Sequence, residues 1–125
     1  MLAKHFKIEL HECSSTALND VQAIHDALNL VADVLGVKVI KTAHHQFVPH
    51  GITCLFLVSS SHFALHSWPE HKFVTMDIFI CDDLVPINEC VEQLKKIFEP
   101  RRTEFSILEC GKEYGLIVDF CSERK

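Results

Sequence analysis

The sequence has no excess of basic residues. Its 12 Lys and Arg face 17 Asp and Glu, for a net charge of −5, which excludes the cationic surface that nucleic acid would need. No run approaches the roughly 20 apolar residues that span a bilayer. The start, Met1-Leu2-Ala3-Lys4-His5-Phe6-Lys7-Ile8, lacks the apolar core of a secretion signal. A cytoplasmic protein without nucleic-acid or membrane partners is the expectation. Repeats, low-complexity tracts and linker-like stretches are missing too, so residues 1–125 read as a single domain. There is no C-x-x-C pair, no H-E-x-x-H run and no paired Cys/His spacing, so the nine histidines predict no metal site.

What remains is an ordinary globular composition, 48% apolar and 23% charged. The cysteines are Cys13, Cys54, Cys81, Cys90, Cys110 and Cys121. In a cytosolic chain they read as reduced, buried thiols that pack as small apolar groups, Cys81 apart.

Periodicity supplies the elements. Residues 5–11 alternate polar and apolar as a half-buried strand does. Ser14-Ser15-Thr16 offer N-caps for a long helix in which Leu18, Val21, Ile24, Leu28, Val31 and Leu35 recur at helical spacing up to Gly36. Val37–Thr42 reads as a strand, and His44–Gly51 as a loop or strand end. Residues 53–59 are apolar enough for a central strand. In residues 73–81, Val74, Met76, Ile78 and Ile80 share one face, while Thr75, Asp77, Phe79 and Cys81 share the other. A second helix spans about Ile87–Phe98 and closes at Pro100, and Thr103–Cys110 and Tyr114–Phe120 finish as strands. This order predicts an α+β two-layer sandwich, a largely antiparallel sheet with both helices on one face. The other face is left for a ligand or a partner subunit, with Asp82-Asp83 and Glu104 as a solvated rim.

The stretch "SSSHFALHSWPE", residues 59–70, places three serines at the end of an apolar run, with two histidines and the single tryptophan behind them. By itself such a serine cluster reads as a turn that satisfies its own backbone, and His62 reads as structural. Yet "SHFALHSWPE" followed by "DIFIC" resembles the small prokaryotic class of S-adenosylmethionine decarboxylases, pyruvoyl-dependent enzymes of polyamine synthesis. The similarity runs from "ELHEC" through "FVPHGITCLFLV" to "FSILECG".

The resemblance implies a proenzyme. Ser61 attacks the carbonyl of Ser60, the peptide becomes an ester, and elimination leaves a pyruvoyl group at residue 61, with chains 1–60 and 61–125. His66 matches the family's processing base, and Thr53 matches a hydroxyl residue that positions the ester. The pyruvoyl ketone would form a Schiff base with the amine of S-adenosylmethionine, and Cys81 matches the proton donor after carbon dioxide leaves. The product would be the aminopropyl donor for spermidine synthesis. Phe47 matches an aromatic that stacks on adenine, and Glu70 an acid that binds the ribose. A homodimer with active sites near its interface is implied as well. Where the family usually has glutamate before the cleaved serine, this chain has Ser60, but the acyl shift uses only that residue's backbone carbonyl. Two other readings stay open, a relative acting on arginine or ornithine and an uncleaved, non-catalytic homologue. Ser61 and His66, five apart, point to opposite faces of a regular strand, so irregular backbone is expected between Ser59 and His62.

Overall fold

Along β1 (Ala3–His11) from His5 onward, and along β3 (Ile52–Val58), β4 (Ser61–Trp68) and β5 (Phe73–Ile80), burial alternates residue by residue. One face of each strand therefore meets the core. The structure is a computed structural model that describes residues 2–81, 84–111 and 117–123, with 117–121 as backbone alone. These four strands join β2 (Val39–Gln46), β6 (Arg102–Cys110) and β7 (Ile117–Glu123) in one seven-stranded sheet of order β2-β3-β4-β5-β1-β6-β7. All neighbours are antiparallel. The N-terminal strand β1 thus sits between β5 and β6, and ties the first half of the chain to the last.

Both helices cover the same face. From α1 (Val21–Leu35), Ile24, Leu28 and Val31 are fully buried; from α2 (Ile87–Phe98), Leu94 and Phe98 are buried with them. They pack on Phe6, Ile8, Phe56, Phe63, Leu65 and Ile78 of the sheet in one core cluster. Asp20 starts α1 by accepting hydrogen bonds from the Gln22 and Ala23 amides, and Gly36 ends it in the left-handed region at φ 68°. The expected α+β two-layer sandwich is the fold.

Several boundaries differ from the expectation. Ser15 caps only a one-turn 3-10 helix, Thr16–Asn19, because Asp20 then turns extended before α1 begins. β2 runs on through His44 and His45 to Gln46. It is an edge strand exposed over most of its length, so no apolar alternation marks it. Helix α2 ends at Glu99 in the left-handed region, one residue before Pro100. Cys13, Cys54 and Cys90 are buried free thiols, as expected, whereas Cys110 is half-buried, at the strand end where β6 pairs with Ala3. Glu104 is no open rim residue. It pairs with Arg102 and lies 3.7 Å from His11 on the open face. Asp82-Asp83, residues 114–116 of the last expected strand and the Cys121 side chain lie outside the described residues.

The face away from the helices is open. Thr75, Asp77 and Phe79 are half-buried there, and His5 pairs with Asp77 at 3.1 Å. Leu55 and Leu57 of β3 and Trp68 of β4 are exposed on the same side, at 47%, 48% and 39%. An apolar surface on the uncovered side of a sheet is what an interaction surface looks like.

Candidate active site

Two groups of polar side chains lie at opposite ends of the β3–β4–β5 strip. The first is the turn between β3 and β4. Ser59 and Ser60 form it, and Ser61, the first residue of β4, has φ 149°. An L-residue rarely adopts that conformation, and holding it costs about 1–3 kcal/mol. The expected irregular backbone is therefore present, at Ser61 itself. The amide of Cys81 donates to the Ser60 carbonyl at 3.3 Å, which ties the end of β5 to the peptide bond between Ser60 and Ser61. The Cys81 thiol is exposed. Ser59 is held differently: its Oγ accepts from the Lys38 amide at 3.0 Å, and its own amide donates to the Lys38 carbonyl at 2.8 Å. That leaves Ser59 poorly placed to act as a nucleophile.

The second group surrounds a cavity of about 280 Å³ lined by Phe47, His50, Gly51, Thr53, His66, Trp68 and Glu70, among others. His66 stands opposite Thr53 in the register, and its Nδ1 lies 2.9 Å from Thr53 Oγ1. If Nδ1–H donates to Thr53, Nε2 keeps its lone pair and is free to accept a proton. His50 Nδ1 lies 3.2 Å from Glu70 Oε2. Phe47 is 49% exposed, and its ring stands at 77° to that of His45 with the ring centres 4.6 Å apart.

The Phe47–Gly51 loop that forms the rim is anchored from below. The Gly51 amide donates to Asn19 Oδ1 at 3.1 Å, and Gln46 donates to the Asn19 carbonyl at 3.2 Å. Buried Ser67 accepts from the Ile52 amide and donates to the Leu18 carbonyl. Gly51 sits at φ 105°, and a Cβ there would come within 3.2 Å of the Ser67 carbonyl.

The structure thus brings Thr53, His66, Phe47 and Glu70 to one cavity, and Ser60, Ser61 and Cys81 to one turn. Within one chain it does not bring Ser61 and His66 together. Ser61 is opposite Val58 and Ile80, while His66 is opposite Thr53 and Thr75. Five residues of strand separate them by roughly 17 Å. The strained turn reorients Ser61 without shortening that distance. Sequence reading also passed over the Cys81 amide, Asn19 and Ser67, and took His62 as structural. Their roles depend on register, which no short motif reveals.

His44, His45 and His50 are near one another in the sequence but form no three-residue metal-ligand set among the described residues. His44 instead meets His25 of α1 at 2.9 Å, and burial together with His44 lowers the His25 pKa. Among the described residues, the one set of metal-ligand types within reach of a common ion is Glu9, His11 and Glu104. Lys7 and Arg102 already pair with its two carboxylates.

The helix-backed antiparallel sheet thus has an open face, with a strained serine turn at one end and a cavity lined by His50 and His66 at the other. The chain belongs to the S-adenosylmethionine decarboxylase family, whose sequence pattern matches residues 4–111. It is 33% identical to the S-adenosylmethionine decarboxylase proenzyme of Methanococcus maripaludis over 110 residues, 88% of this chain and 90% of that one. It is 30% identical to the proenzyme of Thermotoga petrophila over 120 residues, 94% and 92% of the two chains. Its fold matches the crystal structure of the adenosylmethionine decarboxylase from Aquifex aeolicus with a TM-score of 0.79 at 26% identity, over 90% of this chain and 93% of that one.

Proposed function

We propose that this protein cleaves itself between Ser60 and Ser61 and then decarboxylates S-adenosylmethionine with the pyruvoyl group left at residue 61. The observation that carries this reading is the Ser60–Ser61 peptide, with the Ser61 hydroxyl following it, backbone strain at φ 149°, and a carbonyl that accepts the Cys81 amide. That amide is placed to stabilise the negative charge that develops on the Ser60 oxygen when a nucleophile adds to the carbonyl. Strain in the starting peptide lowers the remaining barrier. Replacing the usual glutamate by Ser60 leaves both features in place, because each is made by backbone.

The residues around the turn also fit the group that would form there. Once in place, a pyruvoyl carbonyl supplies an electron sink for the loss of carbon dioxide. Cys81, exposed beside the turn, would return a proton to the substrate carbon. Phe47 would hold the adenine, its ring face also attracting the sulfonium, and Glu70 would accept from the ribose hydroxyls. His66, oriented by Thr53, would take the Cα proton of residue 61 during elimination.

For these parts to meet, the cavity of one copy must lie over the turn of another. A homodimer joined antiparallel through the open sheet faces does this, and it would also cover Leu55, Leu57 and Trp68. The reduced, buried thiols of Cys13, Cys54 and Cys90 suit the reducing cytoplasm. Among the described residues no helix is long and apolar enough to cross a membrane.

Intact-mass analysis of the purified protein tests the proposal. Chains 1–60 and 61–125, the second carrying a pyruvoyl mass, are expected, with labelled carbon dioxide released from carboxyl-labelled S-adenosylmethionine. A chain that stays whole and inert after prolonged incubation would overturn it.

A further inference from the structure

Self-cleavage begins with an unactivated hydroxyl, and the structure leaves its activation to be assigned. A serine hydroxyl adds to an amide only when a base removes its proton. His66 cannot do this within its own chain, and in the dimer its proposed task is the later elimination. The group that touches Ser61 Oγ is the next residue, His62, whose Nδ1 lies 3.2 Å away.

Neighbouring residues of a regular strand point to opposite faces and do not meet in this way. Here they meet because Ser61 has φ 149°, outside the strand region. The imidazole is held from its other side. His62 stands opposite Phe79 in the β4–β5 register, and the two rings stack 5.5 Å apart at an interplanar angle of 11°. Phe79 is backed in turn by His5 at 6.0 Å, and His5 is paired with Asp77. Nothing else is bonded to the Ser61 hydroxyl or to the His62 ring among the described residues.

From this contact we infer that His62 is the general base for the first step of self-processing, a role separate from that of His66. The inference rests on the pyruvoyl reading above. With the proton of His62 on Nε2, Nδ1 accepts the Ser61 hydroxyl proton as Oγ bonds to the Ser60 carbonyl carbon. The carbonyl electrons move to its oxygen, which the Cys81 amide faces, and a five-membered ring closes. Collapse restores the carbonyl and breaks the bond from that carbon to the Ser61 nitrogen, which takes the proton back from His62 and leaves as an amine. Ester replaces amide with no atom gained or lost and no change of oxidation state. Only afterwards is the Cα proton removed and the chain cut.

Hydroxylamine distinguishes the two steps, since it cleaves an ester at residue 61 but not the amide. In His62→Ala and in His62→Phe, which keeps a ring against Phe79 but has no nitrogen, self-cleavage should slow by about 100-fold or more. Hydroxylamine should release no fragments from either variant, and added imidazole should speed His62→Ala. In His66→Ala the shift should proceed, so hydroxylamine should cut that chain at Ser60.

If His62→Phe, folded by circular dichroism, self-cleaves within threefold of the parent rate, the role of His62 is refuted. The same follows if either His62 variant accumulates an ester. Refutation by these results leaves the pyruvoyl reading standing, because the parent chain is still cut. A parent chain that neither cleaves nor forms the ester removes both.

Discussion

Co-expressing Ser61→Ala with His66→Ala should restore a self-cleavage that neither variant completes alone. The separation along β4 sets this outcome. A base must approach within about 3 Å of the proton it takes, yet Ser61 and His66 of one chain lie roughly 17 Å apart along the strand. If sites form between open faces, a mixed dimer pairs the Ser61 of one chain with the His66 of the other in one site, and two alanines in its second site. Random pairing makes half the dimers mixed, so about one quarter of all chains should be cut in a two-fold symmetric assembly. If subunits exchange before cleavage, the fraction should climb toward one half, since every His66→Ala chain can in time meet an intact partner. Each variant expressed alone should yield no fragments. Mass spectrometry reads the products, and the fragments must all come from the His66→Ala chain. No fragments in the mixed sample, with mixed dimers verified by two affinity tags, would refute assembly of the site across open faces. Cleavage of His66→Ala alone at the parent rate would refute the role of His66.

Further outcomes follow from the turn and the core. Cys81→Ala keeps the backbone amide that faces the Ser60 carbonyl, so self-cleavage should continue while carbon dioxide release falls by about 100-fold or more; undiminished turnover would show that the thiol is not the proton donor. Ser61→Gly and Ser61→Ala both lack the hydroxyl, but only glycine relaxes at φ 149°. After the entropy glycine adds to the unfolded chain, Ser61→Gly should be more stable than Ser61→Ala by about 1 kcal/mol in urea titration, and equal midpoints would mean that residue 61 is unstrained. Burial pushes the thiols of Cys13 and Cys90 up to about 12 and that of Cys54 to about 11. An acid whose folded pKa is raised gives stability that is intact below the unfolded value of 9.0 and lost as pH climbs toward the folded value. Melting temperature should therefore drop faster above pH 9 than below it, and Cys90→Ala should flatten the drop; a slope unchanged by that substitution would count against the burial argument.

How much of this was legible before the structure depends on whether burial leaves a pattern in the residues. Strand β5 was readable because Val74, Met76, Ile78 and Ile80 face the helices and the residues between them do not. Helix α2 was readable because Val91, Leu94 and Phe98 recur on its buried face. Of the edge strand β2, Val37–Thr42 was read as a strand but its continuation to Gln46 was not, since an element with little buried surface has little reason to alternate. The site divides in the same way. The resemblance picked out Ser61, His66, Cys81 and Thr53 by spacing, but spacing could not say that β4 holds two of them at opposite ends. That fact comes from pairing: His62 with Phe79 near the turn, and His66 with Thr53 near the cavity. His62 itself looked structural because a histidine beside a serine carries no information about distance, and regular strand geometry would separate the two.

The turn at Ser59 and Ser60 shows why a local rule fails where chemistry is needed. A residue at φ 149° should be glycine, but glycine has no hydroxyl to attack the peptide. Serine keeps the nucleophile at the cost of strain, which the neighbouring structure must hold in place. It does so with the β4 pairings of Ser61 to Val58 and Ile80, the Cys81 amide on the Ser60 carbonyl, and the Lys38 backbone clasping Ser59. These restraints come from β3, β5 and the segment leading into β2, so the strained peptide is complete only once the sheet is assembled. An unfolded or partly folded chain lacks them, so the proposed acyl shift would be confined to the folded protein, with the sheet itself as the timer of self-cleavage.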